Sequence, residues 1–263
     1  MARPAATSRG HGSVMARPRN PLRYELKYLI RREQAKGLIA GLQGRMTLDA
    51  YGDARGVYPI TSLYYDTPDY KAYWDKIDGQ RNRRKVRVRV YGQQTVTPDT
   101  PAFLEVKQRI NNLMRKRRVA LPYQQAIAFD DFPDLAAARA EAALLQEVYY
   151  LYRTLQLRPA CVVTYERMAF EGDAYYPDLR VTFDSNLRGR VHDLSLLSGS
   201  SAANRYVFDP SYMVLEVKAN TNVPGWLAQL LAVHRCTFYR ISKYCLVLEH
   251  SKAIAGRQRI VQR

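Results

Sequence analysis

The sequence predicts an α+β protein: an eight-stranded antiparallel sheet closed into a barrel, with helices flanking it. Three observations lead there. The stretch Lys85-Val86-Arg87-Val88-Arg89-Val90 alternates strictly, and successive side chains of an extended strand point to opposite faces, so Lys85, Arg87 and Arg89 share one side and the valines the other. The same alternation recurs along the chain with carboxylates mixed in. Most of the strands so read are joined by short turns. An open sheet presents such a charged face to water, whereas a closed barrel turns it inward while helices cover the apolar exterior.

Taken in order, Arg23 to Ile30 reads as a strand with Arg23, Glu25 and Lys27 on one face and Tyr24, Leu26 and Tyr28 on the other. Arg31 to Leu42 carries Ala35, Leu38, Ile39 and Leu42 at helical spacing. Gly44 to Gly56 reads as loop, Tyr58 to Asp66 as a strand rich in β-formers, and Thr67-Pro68-Asp69 as the start of a short helix that Asp78-Gly79 ends. The cationic strand covers Arg83 to Tyr91. Phe103 to Ile110 follows with Phe103, Glu105, Lys107 and Arg109 on one face, and Asn111-Asn112 is a hairpin signal because asparagine tolerates positive φ. In Leu113 to Leu121, Arg115 and Arg117 oppose Lys116 and Arg118, and alternation alone leaves open which pair faces inward.

Pro122 to Gln156 is the long helical region, split near Phe132-Pro133, with Leu144, Leu145, Val148 and Leu151 as its packing stripe. Ala160 to Phe170 groups Val163, Tyr165 and Arg167. Leu179 to Leu187 sets Arg180, Thr182 and Asp184 against Val181 and Phe183, and Leu194 to Asn204 is a serine-rich loop. Tyr212 to Ala219 places Glu216 and Lys218 opposite Leu215 and Val217. An apolar helix runs from Val223-Pro224 to Val233, and Arg240 to Glu249 closes the ordered part.

Composition narrows the function. Of 263 residues, 41 are lysine or arginine against 24 acidic ones, giving a net charge of +17, and such a balance calls for an anionic partner. Cys161, Cys236 and Cys245 are odd in number and widely spaced, which argues for a reducing compartment and against a disulfide framework or zinc site. No apolar run is long enough to span a bilayer, and the first twenty residues lack the apolar centre of a secretory signal. The division expected is a disordered basic tail over 1–20, a single domain over 21–250 and a basic tail over 251–263.

If the charged faces line one lumen, Lys27, Lys85, Arg87, Arg89, Lys107, Arg109, Arg167, Arg180 and Lys218 crowd together with Glu25, Glu105, Asp184 and Glu216 to offset them. Like unit charges 4 Å apart repel by about 4 kcal/mol at an effective dielectric near 20, so the arrangement calls for an anionic guest. Phosphate suits it, since arginine forks grip phosphate oxygens in pairs and lysines supply mobile point charges. The carboxylates suit a hard divalent cation that bridges phosphate oxygens.

At this point RYELKYLI, KVRVRV, FLEVKQR, YERMAF, LEVKA and ISKY, in that order from Pro21 to Glu249, resemble the VTC domain of polyphosphate polymerases, within the CYTH-like triphosphate tunnel metalloenzyme superfamily. The resemblance implies a phosphotransferase that moves the γ-phosphate of ATP onto a growing polyphosphate chain inside a cationic tunnel, with manganese or magnesium as cofactor. It implies phosphate-gripping roles for Lys27, Arg87, Arg89, Lys107, Arg167 and Lys243, with Lys85, Lys116 or Arg118, Tyr165, Lys218 and Ser242 as further substrate contacts. Glu216 matches the metal-binding glutamate, and Glu105 is a weaker second ligand. ATP and polyphosphate are the expected partners, nucleic acid is not, and the expected location is cytoplasmic, at the inner membrane face if a separate membrane protein exports the product. One departure stands out. Where tunnel hydrolases open on Glu-x-Glu-x-Lys, this chain has Arg23-Tyr24-Glu25-Leu26-Lys27, which weakens a two-metal hydrolytic site. The alternatives are a triphosphatase or polyphosphatase of the tunnel type, and a non-catalytic module that binds polyphosphate or inositol phosphates.

Overall fold

The structure, a computed structural model, describes residues 24–92, 95–111, 113–137, 139–197, 203–220 and 222–255. The expectation of a disordered tail over 1–20, Arg23 with its departure, and most of the tail over 251–263 lie outside the described residues. In chain order the elements are β1 (Tyr24–Arg31), α1 (Arg32–Leu42), β2 (Thr47–Leu48), β3 (Val57–Asp66), α2 (Lys71–Ile77), β4 (Asn82–Tyr91), β5 (Pro101–Ile110) and β6 (Leu113–Pro122). They continue with α3 (Tyr123–Ile127), a 3-10 turn (Phe129–Asp131), α4 (Phe132–Ala137), α5 (Ala142–Leu155), β7 (Arg158–Glu171), β8 (Arg180–Arg190), β9 (Arg205–Tyr206), β10 (Tyr212–Ala219), α6 (Gly225–Val233) and α7 (Lys243–His250).

All eight expected strands form, joined antiparallel in the order β1-β10-β8-β7-β3-β4-β5-β6, and two short strands were not foreseen: β2 beside β7 and β9 beside β8. Backbone pairing does not close the sheet, because β1 and β6 do not pair among the described residues, so the closed barrel expected from the sequence becomes a rolled sheet with a seam. How far it rolls is shown by side chains. Glu25 on β1 and Lys107 on β5 stand six strand steps apart, roughly 29 Å in a flat sheet at about 4.8 Å per step, yet Lys107 Nζ lies 2.9 Å from Glu25 Oε2.

Two apolar layers cover the convex side. The valines of β4, with Leu104 and Val106 of β5 and Val119 and Leu121 of β6, pack under α3, α4 and α5. Leu215 and Val217 of β10, with Val181 and Phe183 of β8, pack under α1 and α6. His234 seats its imidazole over Gly37 of α1, where a Cβ would meet it at 2.2 Å, so it is a packing residue. The helical region 122–156 breaks into more pieces than expected, and Pro133 sits in the first turn of α4, where its missing N–H costs nothing.

The last helix departs from the expectation that helices lie outside. α7 packs on the concave face, with Tyr244, Cys245, Val247 and Leu248 buried against Cys161 and Val163 of β7 and Leu187 of β8. Gly189 makes room, since a Cβ there would stand 2.4 Å from Val247. A register slip between Thr164 and Glu166 of β7, opposite Asn186 at φ 52°, hands the inward row of β8 from Asp184 to Leu187. One strand thus offers charge at one end and apolar packing for α7 at the other.

Candidate functional site

The concave face gathers ten cations, Lys27, Lys85, Arg87, Arg89, Lys107, Lys116, Arg118, Arg167, Lys218 and Lys243, around Glu25, Glu105, Asp184 and Glu216, an excess of six positive charges. Every site residue expected from the sequence is therefore on this face or, in the case of Ser242, at its edge. The open choice on β6 is decided too. Lys116 reaches Glu105 Oε1 at 2.5 Å and Arg118 lies 4.9 Å over the Phe103 ring, whereas Arg117 pairs with Glu147 of α5 on the convex side.

Each carboxylate is shared. Glu25 faces Lys27 at 3.4 Å, Lys107 at 2.9 Å and Lys218 at 4.0 Å. Glu216 faces Lys27 at 3.3 Å, Lys218 at 3.1 Å and Lys243 at 2.9 Å. Asp184 accepts from Arg167 Nε and Nη2, both at 2.7 Å, and from Lys243 at 2.6 Å, while Glu105 accepts from Arg87 Nε and Nη2 at 2.7 and 2.6 Å. Burial opposes charge on all four acids, but the surrounding cations outweigh it and hold every one below the usual carboxylate range. The acids are spent on positioning bases, and a surplus of bases remains.

Arg89 marks that surplus. It is 5% exposed, and it donates to the hydroxyls of Ser62 (3.0 Å), Tyr165 (3.2 Å) and Tyr91 (3.4 Å) rather than to a carboxylate. Next to it Arg87 donates to Tyr64 as well as to Glu105. Burial, with repulsion from Arg87 and Arg89, pushes the Lys116 ammonium down to about 7 despite Glu105. Burial also lowers Lys107 and Lys218, whereas Asp184 and Glu216 overcome burial and raise Lys243.

Ser242 begins α7, its Oγ accepting from Cys245 N at 3.4 Å and from Lys85 Nζ at 3.1 Å, so it is a cap that also holds a site lysine. Lys243 is 8% exposed and lies 4.9 Å over the Tyr165 ring, which excludes a surface role. Arg109 turns to the Asn111 carbonyl and Arg180 to Asp49 and Glu171, so neither joins the central cluster. From the sequence, Asp184 and Glu25 are only charges that offset the bases. Both are ion-pair hubs, and the available signal was their place on the same alternating rows as the bases.

No group of three or more His, Cys, Asp or Glu arranged to hold a metal occurs among the described residues. A cation bound mainly through phosphate oxygens needs only one or two protein carboxylates. Glu216, the acid that the resemblance matches to the metal ligand, is 4% exposed and has both oxygens paired with Lys27, Lys218 and Lys243, so a cation there would replace ammonium contacts. Glu105 is likewise occupied, 1% exposed and clamped between Arg87 and Lys116.

Fold and site together define an α+β protein whose rolled antiparallel sheet carries an inward, net cationic face. A family model for the VTC domain matches residues 22–251, and the chain belongs to that family, which points to a polyphosphate-related role. No curated protein matches the chain. Among solved structures it is similar to the structure of PH1819 protein from Pyrococcus Horikoshii OT3, at 12% identity over 86% of this chain and 99% of that one, with a TM-score of 0.42, too loose a likeness to carry an argument. Among the described residues no helix is long and apolar enough to cross a membrane.

Proposed function

We propose that this chain is a polyphosphate polymerase that transfers the γ-phosphate of ATP onto the end of a growing polyphosphate chain held along the concave face. The observation that carries the reading is Arg89, a buried guanidinium beside Arg87 that hydrogen-bonds only to hydroxyls, while the carboxylate that acts on it, Glu105, is already held by Arg87 and Lys116; a buried charge is tolerated when a counter-ion completes it. Phosphoryl transfer asks the protein mostly to position and neutralise. Arg87 and Arg89 present adjacent forks to the triphosphate, Lys107, Lys116 and Arg118 neutralise it from β5 and β6, and Lys27, Lys218, Lys243 and Arg167 do so from the opposite wall. Phosphate oxygens are ionised near neutral pH, so the attacking end needs no protein base. Glu216 would hold a manganese or magnesium ion together with phosphate oxygens, and the ion would add Lewis-acid neutralisation of the developing charge. Glu105 serves instead to aim Arg87.

The test is to incubate the purified chain with ATP and manganese and resolve the products on a gel. A ladder of phosphate polymers is the expected result. Free phosphate alone would favour hydrolysis, and unchanged ATP a binding module.

The depressed Lys116 gives a pH signature. Because its ammonium titrates near 7 in the free protein and a bound polyanion stabilises the charged form, binding takes up a proton over the range between the two values. Affinity for inorganic tripolyphosphate is expected to fall between pH 7 and 9, by at most about tenfold per pH unit from this group. Calorimetry in buffers of differing ionisation enthalpy measures the uptake. Lys116→Arg should abolish that component, and an identical profile in wild type and variant would remove Lys116 from the site.

A further inference from the structure

The concave row of β5 changes character after its charged residues. Lys107 and Glu105 are followed by Phe103, one inward step of about 6.8 Å along the strand. Phe103 pairs with Arg89 across to β4 and with Ala120 across to β6. Its ring is half-buried, lies 4.9 Å under the Arg118 guanidinium, and meets the Tyr91 ring edge-on at 5.5 Å. Ala120 is exposed and small, and it lies on the inward row of β6 beyond Arg118, so the space beside the Phe103 ring is open to solvent. A half-buried aromatic ring that carries a guanidinium on one face, has open space beside it at Ala120, and adjoins a buried arginine hydrogen-bonded only to hydroxyls suits a planar, electron-rich ring attached to a phosphate chain.

We propose that Phe103, with Arg118 above it and Ala120 beside it, forms a shelf on which the base of the nucleoside triphosphate stacks while Arg87 and Arg89 hold its phosphates. This rests on the polymerase reading for the identity of the substrate. It goes further in assigning the base a place, and in making recognition a matter of stacking, which every nucleobase satisfies, rather than of hydrogen bonds to base edges.

The experiment compares two ligands by calorimetry, ATP and inorganic tripolyphosphate, which shares the phosphates and lacks the base. Phe103→Leu, which keeps an apolar side chain of similar bulk, is expected to weaken ATP about tenfold and tripolyphosphate less than twofold. Ala120→Ile, a β-branched residue at an exposed strand position, fills the open side and is expected to act in the same direction. Equal weakening of both ligands, no change in either, or failure of the wild-type chain to bind ATP overturns the shelf. A wild-type chain that binds ATP but makes no polymer sinks the polymerase reading alone, since the ratio of the two affinities needs no turnover.

Discussion

Arg87→Ala combined with Arg89→Ala is expected to lower polymer synthesis by at least two to three orders of magnitude, since removal of one preorganised charge-stabilising donor typically costs about 10²–10³ in turnover and this variant removes two forks. The fold does not escape untouched. Glu105 is 1% exposed, and loss of Arg87 leaves it facing Lys116 alone, so the double variant should also melt at lower temperature. Adding Glu105→Gln removes the stranded charge. The triple variant is expected to regain much of the lost melting temperature and none of the synthesis, as read by circular dichroism and the product gel. Recovery of synthesis along with stability would mean that the arginines act only as structural partners of Glu105.

Asp184→Ala should produce the largest loss of stability. Its carboxylate is wholly buried and joins β8 to Arg167 on β7 and to Lys243 at the start of α7. Removing one partner from a buried ion pair costs about 3–5 kcal/mol, a fall in melting temperature on the order of 10 °C for a chain of this size. Asp184 has its pKa depressed on folding, so its contribution is complete above the ordinary carboxylate range and drains away as the pH falls below it. The difference in melting temperature between wild type and variant should therefore be largest near neutrality and shrink in acid. A difference that stays constant down to pH 3 would show that Asp184 acts through shape rather than charge.

Much of this was legible in the chain itself. A two-residue period cannot hide which residues share a strand face, so the rows Lys85-Arg87-Arg89, Glu25-Lys27 and Glu216-Lys218 were readable, together with the surplus of bases that calls for an anion. Period says nothing about which face turns inward on an edge strand charged on both sides, and β6 stayed ambiguous until Lys116 met Glu105 and Arg117 met Glu147. Nor does it show how the sheet ends. Strand count suggested closure, but among the described residues β1 and β6 do not pair; the outer edge of β1 is met instead by a bridge from Tyr28 to Phe238 and by Tyr239 N donating to Lys27 O, and Glu25 reaches Lys107 across the space inside.

What the sequence determined was the inventory and the rows, because side-chain direction along a strand is a local consequence of backbone geometry. What the tertiary structure decided was which charges meet. It rolled rows from distant strands around one space, set α7 inside it through the slip at Asn186, and assigned each carboxylate two or three bases, leaving Arg89 to hydrogen-bond only to hydroxyls. The pairings that join distant strands, such as Lys107 with Glu25 across 82 residues, are ones no short-range pattern encodes.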